Sequence, residues 1–193
     1  MSVLVYTESW NGKFRKSTFE AVSYASETSK ILDTDVVAVS LEKIDDDELM
    51  LLGSYGASKI ININSVDKAD SESSSKILTD LCSNVSVIIF SNTYTAKMIV
   101  PRLSIKLEAA SISNVISLTE ETTIKVKRQA FSTKAFETVE SQTSKTILSI
   151  APNSFGLIES KKDCDIQRIE SSEQGNIVVE SQEMSSEKIS LSE

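Results

Sequence analysis

A chain of 193 residues that is 40% apolar and 25% charged, with only five glycines and two prolines, has the profile of a folded domain with a trailing segment. Its net charge of -8 argues against any sequence-independent grip on a nucleic acid backbone, which needs clustered Lys and Arg to release counterions. The absence of histidine removes the usual neutral-pH base, the Ser-His and Cys-His nucleophile pairs and the commonest transition-metal ligand, so neither catalytic nor metal-binding residues are expected.

Ser2 to Thr7 is a β-branched run suited to a central strand, and Asn11-Gly12 marks a tight turn in the excursion after it. Ser17-Thr18-Phe19-Glu20 has capping-box spacing and opens a helix through Phe19, Val22, Ala25 and Leu32. A Val-rich strand over Asp35 to Leu41 follows, and then Asp45-Asp46-Asp47, three carboxylates suited to the positive end of a helix running through Leu49 and Leu52 to Gly53. Lys59 to Ile63 is the third strand, Ile77, Leu78, Leu81 and Cys82 mark one face of the third helix, and Val85 to Ser91 is a fourth strand apolar on both faces.

Strands alternating with helices imply a parallel sheet with helices on both faces, because parallel neighbours need crossover connections. Tyr94 to Glu108 reads as a helix with Ala96, Ile99, Val100, Leu103 and Leu107 on one face, and Pro101 predicts a kink within it. Beyond Ser111 the period changes to two. Val115 to Leu118, Thr122 to Ala130, Lys134 to Glu140 and Thr146 to Ile150 predict a β-rich second half arranged as a meander. Two more alternating runs, Cys164 to Ile169 and Asn176 to Val179, precede a polar tail from Glu183 to Glu193 that reads as a linker.

The longest apolar stretches, Val85 to Phe90 and Ile147 to Ala151, fall far short of the roughly 20 residues that span a bilayer, so no membrane span is expected. Cys82 and Cys164 read as free thiols of a reducing compartment. The first strand begins at Ser2, which leaves no room for a targeting segment ahead of it and points to a bacterial cytoplasm, with a processed mitochondrial matrix protein as the alternative.

Five stretches, taken in order over about 155 residues, resemble the alpha subunit of electron transfer flavoproteins. Val3-Leu4-Val5-Tyr6-Thr7-Glu8 with Asn11-Gly12-Lys13 is similar to the family's first strand and its Gly-containing excursion. Tyr55-Gly56-Ala57-Ser58-Lys59-Ile60 resembles its Tyr-Gly-Ala-Asp-Lys-Val joint, and Val100-Pro101-Arg102-Leu103 its Ala-Pro-Arg-Leu helix segment. Lys127-Arg128-Gln129-Ala130-Phe131 with Lys134-Ala135 is similar to Arg-Pro-x-Tyr-x-Gly-Lys-Ala, and Ile150-Ala151-Pro152-Asn153-Ser154-Phe155 to Val-Arg-Pro-Asn-Ala-Phe. Gln129 stands where the family has Pro, Thr133 where it has Gly, and Ala151 where it has Arg.

The resemblance implies an adenine nucleotide alpha hydrolase-like α/β domain over residues 1–160, with 161–193 leading to a carboxy-terminal FAD-binding domain that the chain lacks. In the complete protein FAD sits mainly in that second domain, and AMP is expected in the beta subunit. The implied function is an electron carrier and not an enzyme. With a beta subunit it takes electrons from flavin dehydrogenases, such as the acyl-CoA dehydrogenases of fatty acid β-oxidation, and passes them to an acceptor such as a quinone reductase. The first alpha domain serves as scaffold, and no cofactor-binding residues are assigned to it.

Candidate partner-interface residues are Trp10 on the excursion after strand one, Arg102 on the Pro-containing helix, Arg128 and Lys134 flanking a turn, and Phe155 beyond the Pro-Asn turn. Each has a plainer reading, as loop packing, a solvated cation, a cross-strand surface pair or a core plug. The alternative function is a free-standing adenine-nucleotide-binding module of universal-stress-protein type, with its ligand at the carboxyl ends of the strands near Glu8, Ser40 and Ser91-Asn92-Thr93. Its glycine-rich phosphate loops are missing, since Gly12, Gly53, Gly56, Gly156 and Gly175 are scattered singly or nearly so.

Overall fold

A computed structural model describes residues 2–64, 66–119, 122–171, 173, 175–177 and 179–181. The first half alternates as the pattern requires. Strand β1 (Ser2–Tyr6) leads through a small hairpin of β2 (Ser9–Trp10) and β3 (Lys13–Phe14) into helix α1 (Lys16–Ile31). Then come β4 (Asp35–Ser40), α2 (Asp46–Met50) continued by a 3₁₀ turn over Leu51–Tyr55, β5 (Lys59–Asn62), α3 (Ser71–Leu81), β6 (Val85–Ser91) and α4 (Tyr94–Leu107). The chain continues with β7 (Ala110–Val115), β8 (Lys125–Ala130), β9 (Ala135–Glu140), β10 (Thr146–Ile150) and β11 (Asp165–Arg168).

All but the small hairpin join one nine-stranded sheet in the order β11-β5-β4-β1-β6-β10-β7-β8-β9. From β11 to β7 every pairing is parallel; β8 and β9 are antiparallel. Alternation along β1 shows how the faces are covered. Val3 and Val5 pack with Ala21, Val22, Tyr24 and Ala25 of α1 and with Leu49 and Leu52, whereas Leu4 and Tyr6 pack with Ile77 and Leu78 of α3 and with Ala96, Ile99 and Leu103 of α4. The fold is therefore α/β, a mostly parallel sheet between two helical layers.

The expected meander is not what forms, and the expected β-rich second half is not a layer of its own. Residues beyond α4 add strands to the same sheet, and β10 leaves the hairpin to pair in parallel with both β6 and β7. The reason is visible in β10 itself: Ile147, Leu148 and Ile150 lie on both faces and every residue of the strand is buried, which only a central position satisfies. Only β8 and β9 make a long antiparallel ladder, and the ladder between β8 and β7 has the single registered pair Val115 and Arg128. Of the later alternating runs, the first forms β11 beside β5, while residues 176, 177 and 179 form no strand; the expected linker over 183–193 lies outside the described residues.

The expected capping box is also replaced. Helix α1 starts at Lys16, and its N-cap Arg15 makes no side-chain cap. Glu20 turns away to accept from the backbone N–H groups of Asn153 at 2.7 Å, Phe155 at 2.7 Å and Gly156 at 2.9 Å, because a partly buried turn with three orphan donors draws a carboxylate more strongly than a helix end already near water. Asn11 and Gly12 do adopt positive φ at the β2–β3 turn, and α4 runs on as helix through Pro101, which lies on its exposed side.

Candidate functional site

In open parallel sheets the ligand crevice lies beyond the carboxyl ends of the strands, where neighbouring connections run to opposite sides. Here that point falls between β1, whose next strand is β4 on one side, and β6 on the other. The residues leaving these two strands, Glu8 to Trp10 and Asn92 to Thr95, line a cleft of about 410 Å³ with Arg15, Ser17, Lys97 and Pro152.

The head of this crevice is filled by the chain's own carboxylate. Glu8 accepts from the Thr93 hydroxyl at 2.6 Å and the Thr95 hydroxyl at 2.8 Å, and its carbonyl accepts from the Thr18 hydroxyl at 2.7 Å. Thr93 is the N-cap of α4, its oxygen accepting from the Ala96 N–H at 3.1 Å. A negative group thus already sits at the positive end of α4, where a phosphate of a bound nucleotide would otherwise be welcome.

Beside it lies a second polar cluster. The Ser9 hydroxyl donates to Glu42, Lys68 Nζ lies 3.6 Å from the other oxygen of Glu42, and Lys68 also donates to the Ser9 carbonyl at 2.9 Å. Burial raises the pKa of Glu42, against the pull of Ser9 and Lys68. Burial, reinforced by Glu42 and Glu8, pushes the Tyr6 phenol well above its ordinary value, so it stays neutral.

The glycines make no phosphate cradle. Gly12 and Gly156 sit at positive φ in open turns, Gly56 ends the 3₁₀ turn at φ 107° with the Ser26 side chain pressed against it, and Gly53 meets Cys164 and the Lys162 carbonyl. A flavin or adenine pyrophosphate does not fit these residues: it would meet the Glu8 carboxylate and no converging row of backbone N–H groups.

The five candidate interface residues do not form one cluster. Trp10 is half-buried on β2 rather than free on a loop, with the Arg15 guanidinium 4.4 Å and Lys68 Nζ 4.7 Å from its ring centre. Arg102 is exposed on α4. Arg128 donates from Nε to the Ser113 carbonyl of β7 at 3.0 Å and pairs with Glu137 of β9 at 3.3 Å, so much of its guanidinium is committed to the neighbouring strands. Lys134 is exposed at the tip of that hairpin, and Phe155 is half-buried with its ring edge on Tyr24, 5.2 Å between centres. β1, which leads to Trp10, and the hairpin bearing Arg128 and Lys134 are separated in the sheet by β6, β10 and β7.

Glu42, Lys68, Asp70 and Thr95 were not singled out by the sequence, Glu20 was expected in a capping box, and Thr93 was expected only as part of the strand-end crevice. The one available signal was Thr93-x-Thr95 at the start of a helix after an apolar strand, a cap pattern facing the carboxyl end of β1. The three aspartates at Asp45 to Asp47 do open α2, and no cluster of metal-ligating side chains occurs among the described residues. Cys82 and Cys164 are both free, and burial pushes the Cys82 thiol up to about 12 although Lys145 opposes it.

No helix among the described residues is long and apolar enough to cross a membrane. No curated protein matches the chain. The family model described as "Electron transfer flavoprotein domain" matches residues 3–181, nearly the whole described length. A match over that span, on a chain whose sheet is mostly parallel, shows that the chain belongs to the electron transfer flavoprotein domain family.

Proposed function

We propose that this chain is the amino-terminal scaffold domain of an electron transfer flavoprotein alpha subunit. Family membership carries the coarser part: an electron transfer flavoprotein serves electron transport as a carrier and works as one of two subunits. The finer reading is that this domain pairs with a beta subunit to form a base for a flavin-bearing domain. FAD belongs to that carboxy-terminal domain and AMP to the beta subunit. Electrons would come from flavin dehydrogenases such as those of fatty acid β-oxidation and pass to an acceptor such as a quinone reductase, in a bacterial cytoplasm or, alternatively, a mitochondrial matrix.

The observation that carries this reading is the Glu8 carboxylate held by Thr93 and Thr95 at the sheet's switch point. A domain whose crevice already has a carboxylate where a phosphate would sit is suited to hold other parts, not to hold a nucleotide. Among the interface candidates, Arg102 and Lys134 present free charges, Trp10 and Phe155 are partly engaged, and Arg128 offers only its outer edge.

Mixing the purified chain with its beta subunit tests the assignment. A 1:1 complex on gel filtration is the expected result, with no flavin absorbance from the chain by itself. Failure to form the complex, or a yellow chain carrying stoichiometric flavin without a second protein, overturns it. Tight ATP binding by calorimetry would favour the nucleotide module instead.

A further inference from the structure

Helix α4 is apolar on two opposite faces. Ala96, Ile99, Val100 and Leu103 are buried against the sheet and α3. On the opposite side Tyr94 is 85% exposed, Met98 45% and Ile105 79%, with Pro101 exposed between them. The spacing 94, 98, 101, 105 is that of one helical stripe, and at about 100° per residue the four positions fall within about 60° of each other. A surface helix ordinarily turns polar residues outward, so a straight apolar stripe three turns long on the solvent side is a contact surface in waiting.

Charge says what covers it. The helix contains no Asp or Glu, in a chain whose net charge is -8. Its cations flank the stripe, Lys97 along one margin and Arg102 with Lys106 along the other, and none of the three makes an ion pair among the described residues. Packing this face on a second copy of itself would bring the helix axes to roughly 8–10 Å and set these cations against one another, with no carboxylate on either helix to separate them. A complementary surface is therefore apolar along its centre, bears carboxylates along both sides, and belongs to a different protein.

We propose that the solvent face of α4 is the docking surface for such an acid-fringed protein partner and, given the function proposed above, that this partner is the second subunit of the electron transfer flavoprotein. Tyr94, Met98, Pro101 and Ile105 form the buried centre; Lys97, Arg102 and Lys106 set orientation and association rate. Of the five interface candidates read from the sequence, Arg102 alone belongs to this surface.

Affinity of the full chain for the purified second subunit, measured by sedimentation or surface-immobilised binding at low and physiological salt, tests the assignment. Two double variants, M98D with I105D and R102E with K106E, change exposed positions only, and unchanged circular dichroism melting verifies that they fold. Each should weaken binding about tenfold or more, and the charge-reversed variant should lose the salt dependence seen in the wild type. Lys161→Glu, a charge reversal at an exposed position away from α4, should leave the affinity within about twofold.

If the wild type binds the second subunit and both double variants bind equally well, the α4 surface is wrong while the heterodimer reading stands. If the wild type has no affinity for that subunit, the functional reading falls and the inference with it. Binding to phosphatidylserine vesicles or concentration-dependent self-association, either one abolished by the variants while subunit affinity is unchanged, would assign the face to lipid or to a second copy and overturn the proposal.

Discussion

At the scale of single residues, two buried carboxylates organise backbone far from them in sequence. Glu20 accepts from three N–H groups of one turn beyond β10, and Glu20→Ala should lower stability by about 2–3 kcal/mol, with Glu20→Gln intermediate, as measured by urea unfolding. No loss in the alanine variant would show that water replaces the carboxylate without penalty. Asp70 caps α3 through the Ser73 N–H at 3.0 Å and also receives the Asn176 N–H at 2.6 Å, and these bonds, the Ser73 one first, hold its pKa below the ordinary value. A depressed carboxylate stabilises the fold above its unfolded pKa of about 3.9, and that contribution disappears as pH falls through the lower folded value. Asp70→Asn keeps an oxygen for Ser73 but turns an N–H₂ toward Asn176. The variant should be less stable than wild type at pH 7, the gap should narrow toward pH 3, and residues 173–181 should be cleaved sooner by protease; a gap independent of pH would refute the assigned role. The Glu20 bonds and the Asp70–Asn176 bond were not legible from spacing, since acceptor and donor are separated by more than a hundred residues.

At the scale of elements, the alternating first half was readable because each strand and helix carries its own period, and the apolar faces of α1, α3 and α4 fell where expected. β10 was misplaced for a physical reason: a strand buried on both faces looks the same in sequence whether it continues a hairpin or crosses into the sheet centre, and the choice is made by partners outside it. The β8–β9 turn shows a different limit. Phe131, Ser132 and Thr133 take φ of 47°, 52° and 70°, left-handed values that a β-branched residue adopts only under strain. The sequence resemblance placed Gly where Thr133 stands, and the backbone explains the preference. Thr133→Gly should raise stability by about 0.5–1 kcal/mol, the relief of strain outweighing the added freedom of the unfolded chain. A lower melting temperature in the variant would mean that the turn relaxes elsewhere.

At the scale of the whole molecule, sequence and structure meet at the carboxyl end of the sheet. The sequence located that end and its lack of phosphate loops, but an absent loop only says what a site is missing; the Glu8 carboxylate says what occupies the place. Removing it has two separable consequences. Glu8→Ala leaves the Thr93 and Thr95 hydroxyls without their acceptor at the start of α4, and stability should fall by about 1–3 kcal/mol, while Glu8→Gln, which keeps one oxygen, should fall less. Adenine nucleotides report on the crevice directly. A ligand that binds only the folded chain stabilises it by about 1.4 kcal/mol at ten times its Kd, so thermal unfolding with millimolar AMP, ATP or FAD should leave the wild-type midpoint unmoved. If the midpoint rises with nucleotide while Glu8 is intact, the carboxylate does not close the crevice, and the chain is a binding module rather than a scaffold.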